Sequence, residues 1–183
     1  LVKERLNVRD VALPIMKALH QQTRQTINLS VRQNDEIIYV ERAYSERSGM
    51  QVVRAIGGRA PLHLTSVGKL FLAQDDKVAL LAYAARTHLK AQTKNSLSSL
   101  EKLTKELDWV RLHQFAFDHE ELELGVSCMA AGIYDDNQQL VAGLSISAPT
   151  ERAQESWGEA LRQAAFEISK AMGYTSQNRT LNK

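Results

Sequence analysis

The sequence predicts an α+β fold, an antiparallel sheet with helices grouped around it in one domain. Three observations support this. Two pairs of period-two stretches are each joined by a short polar turn, which forces neighbouring strands to run antiparallel. Between the pairs lie helical stripes with capping residues. The repeated strand–helix–strand alternation of a doubly wound parallel sheet is missing.

The elements follow in order. Asp10 is a candidate N-cap with Pro14 in the first turn behind it, and Val11, Ile15 and Leu19 form one stripe to about Arg24. Ile27, Leu29 and Val31 alternate with Asn28, Ser30 and Arg32, the signature of a half-buried strand. Asn34-Asp35 turns the chain and residues 37–42 return as its hairpin partner. A third strand is expected over Met50 to Ala55, followed by Gly57-Gly58. Three helices come next: one capped by Thr65, with Val67, Leu70 and Phe71 inward, and one capped by Asp75 or Asp76 and reaching Ala85. The third opens on a Ser98/Glu101 capping box, with Leu100, Leu103, Leu107 and Val110 as its inner stripe. Strand character resumes over Val126–Tyr134 and Leu140–Ser147, separated by Asp135-Asp136-Asn137. A last helix is expected from near Thr150, with Trp157, Leu161, Ala164, Ile168 and Met172 on one face and Gly173 as its stop.

Composition narrows the classes. With 183 residues, 44% hydrophobic and 24% charged, the chain can bury a core without a disulfide or metal. Its longest apolar run, residues 78–85, is too short to span a bilayer, so no membrane association is expected. The single cysteine suits a reducing, cytoplasmic compartment. A net charge of +2 argues against a nucleic-acid-binding surface spread over the whole domain.

Three segments can carry chemistry. The first is the helix start Leu64-Thr65-Ser66-Val67-Gly68-Lys69, where unpaired N–H groups attract a small carboxylate and Gly68 leaves room for it. An ordinary capped helix would carry the same signal. The second is Ser145-Ile146-Ser147, two hydroxyls on one strand face that could line a pocket or meet solvent. The third is Phe117-Asp118-His119-Glu120-Glu121, either a solvated acidic loop or the source of one inward carboxylate, Asp118, together with Cys128 beyond it. Cys128 with His119 or His63 and Asp118 contains the residue types of a thiol nucleophile. Asp118 and His119 would point to opposite sides of an extended segment, however, and no nucleophile elbow precedes the cysteine. No ligand spacing suggests a metal, and no cofactor motif is present, so neither is expected. Register supplies a check. Cys128 shares a face with Ser145 and Ser147 only if it pairs with an odd-numbered residue, which implies a loop of four or six residues around Asp136. A five-residue loop without a bulge would separate them.

With these segments in view, the chain resembles the effector-binding domain of the IclR family of bacterial transcriptional regulators. The resemblance rests on residues 57–69, 117–131 and 141–149 in this order and spacing, and covers residues 8–175. It implies a GAF/profilin-like curved antiparallel sheet flanked by helices. It implies a cavity for a small-molecule effector lined by Met50, Val52, Ser66, Val67, Gly68, Asp118, Cys128, Ser145 and Ser147. The effector's carboxylate would take the Ser66-Val67-Gly68 amides. The resemblance further implies a winged helix-turn-helix domain upstream, through which DNA would be bound, residues 1–10 being the end of the linker helix, and a homodimer or homotetramer. Residues 176–183 are expected to form a disordered tail. Three departures bear on the ligand: His119 where the family has a second Asp, Ser127 where an Arg is common, and Val67 where smaller residues are frequent. They point to a small, polar, carboxylate-bearing effector. A stand-alone small-molecule-binding module without a DNA-binding partner is the alternative.

Overall fold

The computed structural model describes the backbone of residues 2–45 and 56–176, with side chains from residue 8 onward. Among the described residues six strands form one antiparallel sheet: β1 (Thr26–Gln33), β2 (Glu36–Ala43), β3 (Arg59–Pro61), β4 (Ala116–His119), β5 (Val126–Tyr134) and β6 (Leu140–Pro149). Their spatial order is β3-β2-β1-β6-β5-β4. The two predicted hairpins are therefore joined edge to edge by the β1–β6 ladder. Five helices among the described residues complete the α+β architecture: α1 (Val2–Thr23), α2 (Ser66–Leu72), α3 (Lys77–Thr87), α4 (Leu100–His113) and α5 (Trp157–Ala171). The strand expected over residues 50–55 lies outside the described residues.

Helices cover both faces of the sheet. On one face α1 and α5 close a core containing Met16, Ile27, Leu29, Ile133, Leu144, Ile146, Leu161 and Ile168. On the other, α2, α3 and α4 build a second core around Leu62, Leu72, Tyr83, Leu103 and Leu107. Each such side chain, fully buried, contributes roughly 1.5–3 kcal/mol.

Several expectations are corrected. Helix α1 begins well before Asp10, so Asp10 caps nothing and Pro14 lies inside the helix. Pro14 is exposed, so the Asp10 carbonyl it leaves without a donor can be hydrated. The buried stripe of α1 is Val8, Ala12, Met16 and Leu19, with Val11 and Ile15 only partly covered. Ser99, not Ser98, caps α4, its Oγ accepting the Lys102 N–H at 3.2 Å. Burial of Leu103, Leu107 and Val110 sets the phase of that helix. Helix α5 starts at Trp157, because Thr150 is tied to β5. Its N–H donates to the Gly125 carbonyl and its hydroxyl lies 2.9 Å from Ser127 Oγ. Strand β4, of which only Asp118 and His119 read as extended, and the three-residue β3 are too short to show a period of two.

Thr65 caps α2 as expected, Asp76 caps α3, and Gly173 follows α5 with φ at +90°. The five-residue loop 135–139 does separate Tyr134 from its partner Leu140, but a bulge follows at once. Val141 is the extra residue, so Ile133 pairs with Ala142 and Cys128 pairs with Ser147. The loop length differs from expectation and the bulge restores the parity.

Candidate functional site on the inner face of the sheet

Directly paired residues of an antiparallel sheet point to the same face. Thr26, Ser147, Cys128 and Asp118 thus make one row across four strands, and Arg42, Asn28, Ser145 and Ala130 the next. Both rows face α2. The side chain of Val67 lies directly over Gly143, where an added Cβ would come within 2.5 Å of Val67 Cγ1. Asn28 (2% exposed), Asp118 (2%) and Ser145 (4%) are therefore buried polar groups on a covered face, and Ser147 is partly buried beside them.

Hydrogen bonds link them. Asn28 Nδ2 donates to Ser147 Oγ at 3.0 Å and lies 3.5 Å from Ser145 Oγ. Ser147 Oγ is 3.2 Å from Cys128 Sγ. Arg42 Nε donates to Asn28 Oδ1 at 2.9 Å. Asn28 and Arg42 were invisible as site residues: polar positions of an alternating strand read as solvated, and only the second helical layer buries them.

The start of α2 departs from its expected role in part. The Gly68 N–H already donates to Thr65 Oγ1 at 3.1 Å. A Cβ at Gly68 would lie 2.1 Å from the Leu62 carbonyl oxygen, so close packing of the preceding 3-10 turn requires this glycine. Ser66 and Val67 keep N–H groups with no acceptor among the described residues. Met50 and Val52, the remaining lining residues expected, lie outside the described residues.

Asp118 anchors the loop behind β4, its Oδ1 accepting the Glu121 N–H at 2.8 Å. Burial pushes its carboxyl up to about 7, against the lowering effect of that N–H. Glu121 in turn meets Lys69, whose fully buried Nζ lies 2.9 Å from Oε1 and 3.0 Å from Oε2. The same ammonium donates to the Phe117 carbonyl at 2.6 Å. Thr93 and Ser96 hydroxyls hold the Glu120 and Glu121 carbonyls at 2.7 and 2.6 Å. The acidic run is thus a pinned turn. Lys69 was missed as its anchor because a lysine in a short helix carries no burial signal.

The thiol chemistry is not assembled. Burial and the neighbouring Asp118 push the Cys128 thiol well above the usual cysteine value, which disfavours the thiolate. His119 is exposed and stacks on Phe117, away from the cysteine. The His63 ring is engaged at both nitrogens, with Tyr83 Oη at 2.7 Å and the Lys90 carbonyl at 3.0 Å. A groove of about 230 Å³ lies toward the opposite face, lined by Phe117, His119, Met129, Ile146 and Trp157 among others, with Cys128 also in its lining.

Comparison with known proteins agrees with this fold. The family model "Bacterial transcriptional regulator IclR C-terminal" matches residues 1–170. The HTH-type transcriptional regulator KdgR of Dickeya chrysanthemi is 36% identical over 163 residues, 87% of this chain and 53% of that protein. The chain thus spans about half the length of that relative. The crystal structure of transcriptional regulator YaiJ superposes with a TM-score of 0.87 at 30% identity, over 93% of this chain and 97% of that one. A double mutant of the PobR inducer-binding domain from Acinetobacter, solved with 3-hydroxybenzoic acid, gives 0.81 at 27% identity, over 87% and 96%. This chain belongs to the IclR family of bacterial transcriptional regulators, as its C-terminal domain.

Proposed function

We propose that this domain binds a small organic acid between α2 and the polar rows of the sheet, as the sensor of a DNA-binding regulator. The observation that carries the reading is the alignment of Asp118, Cys128, Ser147, Ser145 and Asn28 on one covered sheet face. Burying that many polar groups is costly unless they bond one another or a ligand. The related PobR domain holds a small hydroxylated acid. Ser66 and Val67 N–H groups, Asp118, Ser145 and Ser147 supply the hydrogen bonds, Gly68 positions the helix, and Met50 and Val52 add apolar wall. The protonated thiol of Cys128 fits a wall residue of a binding site that performs no catalysis.

Regulation requires that the ligand favour one arrangement of the protein over another. Strand β2 offers a route: Arg42 faces the site, while its neighbour Glu41 accepts a 2.7 Å bond from Arg9 of α1 on the other side. Helix α1 would lead to an upstream helix-turn-helix domain in a cytoplasmic homodimer or homotetramer. A calorimetric screen of small carboxylic acids against uncharged aromatics tests this. Acids should bind wild type and lose at least about tenfold in the Ser145→Ala/Ser147→Ala variant. Binding of bulky uncharged aromatics alone, or an unaffected variant, overturns it.

A further inference from the structure

Arg42 stands at the β2 end of the polar row, opposite its register partner Asn28. It is partly buried, and its guanidinium carbon lies 5.6 Å from the centre of the Tyr39 ring, at cation–π distance. Three other charges held within this fold are matched: Lys69 by Glu121, Glu41 by Arg9, and Arg32 by Asp75. Among the described residues the Arg42 guanidinium has no carboxylate partner and makes its hydrogen bond through Nε alone. Burial pulls its guanidinium below the ordinary arginine value, as expected of a charge taken from water without a counter-charge.

An unpaired guanidinium on an interior face is unfavourable unless something completes it. The row that Arg42 shares with Asn28, Ser145 and Ala130 holds no acid, and the Asp118 carboxyl lies four strands away on β4, so nothing beside Arg42 supplies the missing negative charge. The start of α2 offers the N–H groups of Ser66 and Val67 but no full charge, since α2 has seven residues and its third N–H is already capped. We propose that Arg42 is the charge-selecting residue of the effector site, pairing through its terminal nitrogens with the carboxylate of the bound metabolite. This rests on the reading that the inner face is the effector site. Strands lie about 4.8 Å apart, which puts Ser145 and Ser147 about two spacings from Arg42. The ligand class that fits is a small acid with a carbonyl or hydroxyl oxygen a few atoms from its carboxylate. Arginine's planar fork matches a carboxylate in two parallel bonds, which lysine cannot reproduce.

The test uses the whole chain and calorimetry with 3-hydroxybenzoate and succinate, each against its uncharged amide, on wild type, Arg42→Lys and Arg42→Gln. At least one acid should bind wild type. Arg42→Gln should weaken it about tenfold or more, Arg42→Lys less, and any binding of the amides should stay unchanged. Thermal melts of both variants check the fold, and Arg42→Lys keeps the comparison open if Arg42→Gln is poorly folded. Equal acid affinity in wild type and a folded variant overturns the role of Arg42 and leaves the site standing. Failure of both acids to bind wild type overturns the effector reading and this proposal with it.

Discussion

Val67 on α2 fills the space that a side chain at Gly143 would need: a Cβ there would lie 2.5 and 2.7 Å from the two Val67 methyls. Helix and sheet can approach only because position 143 has no side chain, and that approach buries the polar rows. Gly143→Ala should cost about 1–3 kcal/mol by overpacking. Adding Val67→Ala should recover part of that loss. Urea denaturation of the two singles and the double checks the coupling.

The Lys69–Glu121 pair pins the loop that follows Asp118. Lys69→Met strands the buried Glu121 carboxylate and should cost about 3–5 kcal/mol, whereas Glu121→Gln leaves Lys69 with Glu106 at 3.3 Å and should cost less. The double variant should cost clearly less than the sum, which the same denaturation series would show.

The Asp118 carboxyl titrates near 7 in the folded protein and near 3.9 in an unfolded chain. Its folded form binds a proton that the unfolded form has already released. Its contribution is fully present below about pH 4 and is lost as pH rises through 7, by up to about 1.4 kcal/mol per pH unit. Asp118→Asn should therefore gain on wild type over that window and hold a constant difference above it. Stability curves at pH 4, 5.5, 7 and 8 give the sign, and a flat difference would exclude the raised value.

His63 runs the other way. Burial lowers its ring below the ordinary histidine value, and the ring bonds Tyr83 and the Lys90 carbonyl as a neutral group. Below about pH 6.5 the unfolded chain takes up a proton that the folded ring refuses, so this part of the stability falls with pH until the folded ring itself titrates. His63→Gln should be less stable than wild type at pH 8 and lose less between pH 8 and 5, as thermal melts would record.

Cys128 should alkylate slowly. With its thiol raised by burial and Asp118, its reaction with iodoacetamide at pH 8 should run at least about tenfold below that of glutathione. A bound acid should slow it further. Rapid modification would place the sulfur in an open, activated setting and revive a nucleophilic role.

Much of this molecule was legible from local pattern. The two hairpins, the Thr65 cap, the inner stripe of α4 and the Gly173 stop follow from periodicity and from turn and cap chemistry. Those signals act over a few residues and need no partner. The co-facial serines were equally plain. Their company was not. Whether Cys128 joins Ser145 and Ser147 hung on one extra residue, Val141, and the loop length alone pointed the wrong way.

The linear order of residues decided the α+β class, the antiparallel hairpins and the family to which the chain belongs, because these are written in repeats of two and four and in short motifs. Tertiary structure alone decided which polar positions are interior. Asn28 and Arg42 look like surface residues until the helical layer closes over the sheet, and Lys69 does so until α2 packs against α4 and β4. Burial belongs to two elements at once, so neither strand nor helix carries a local trace of it.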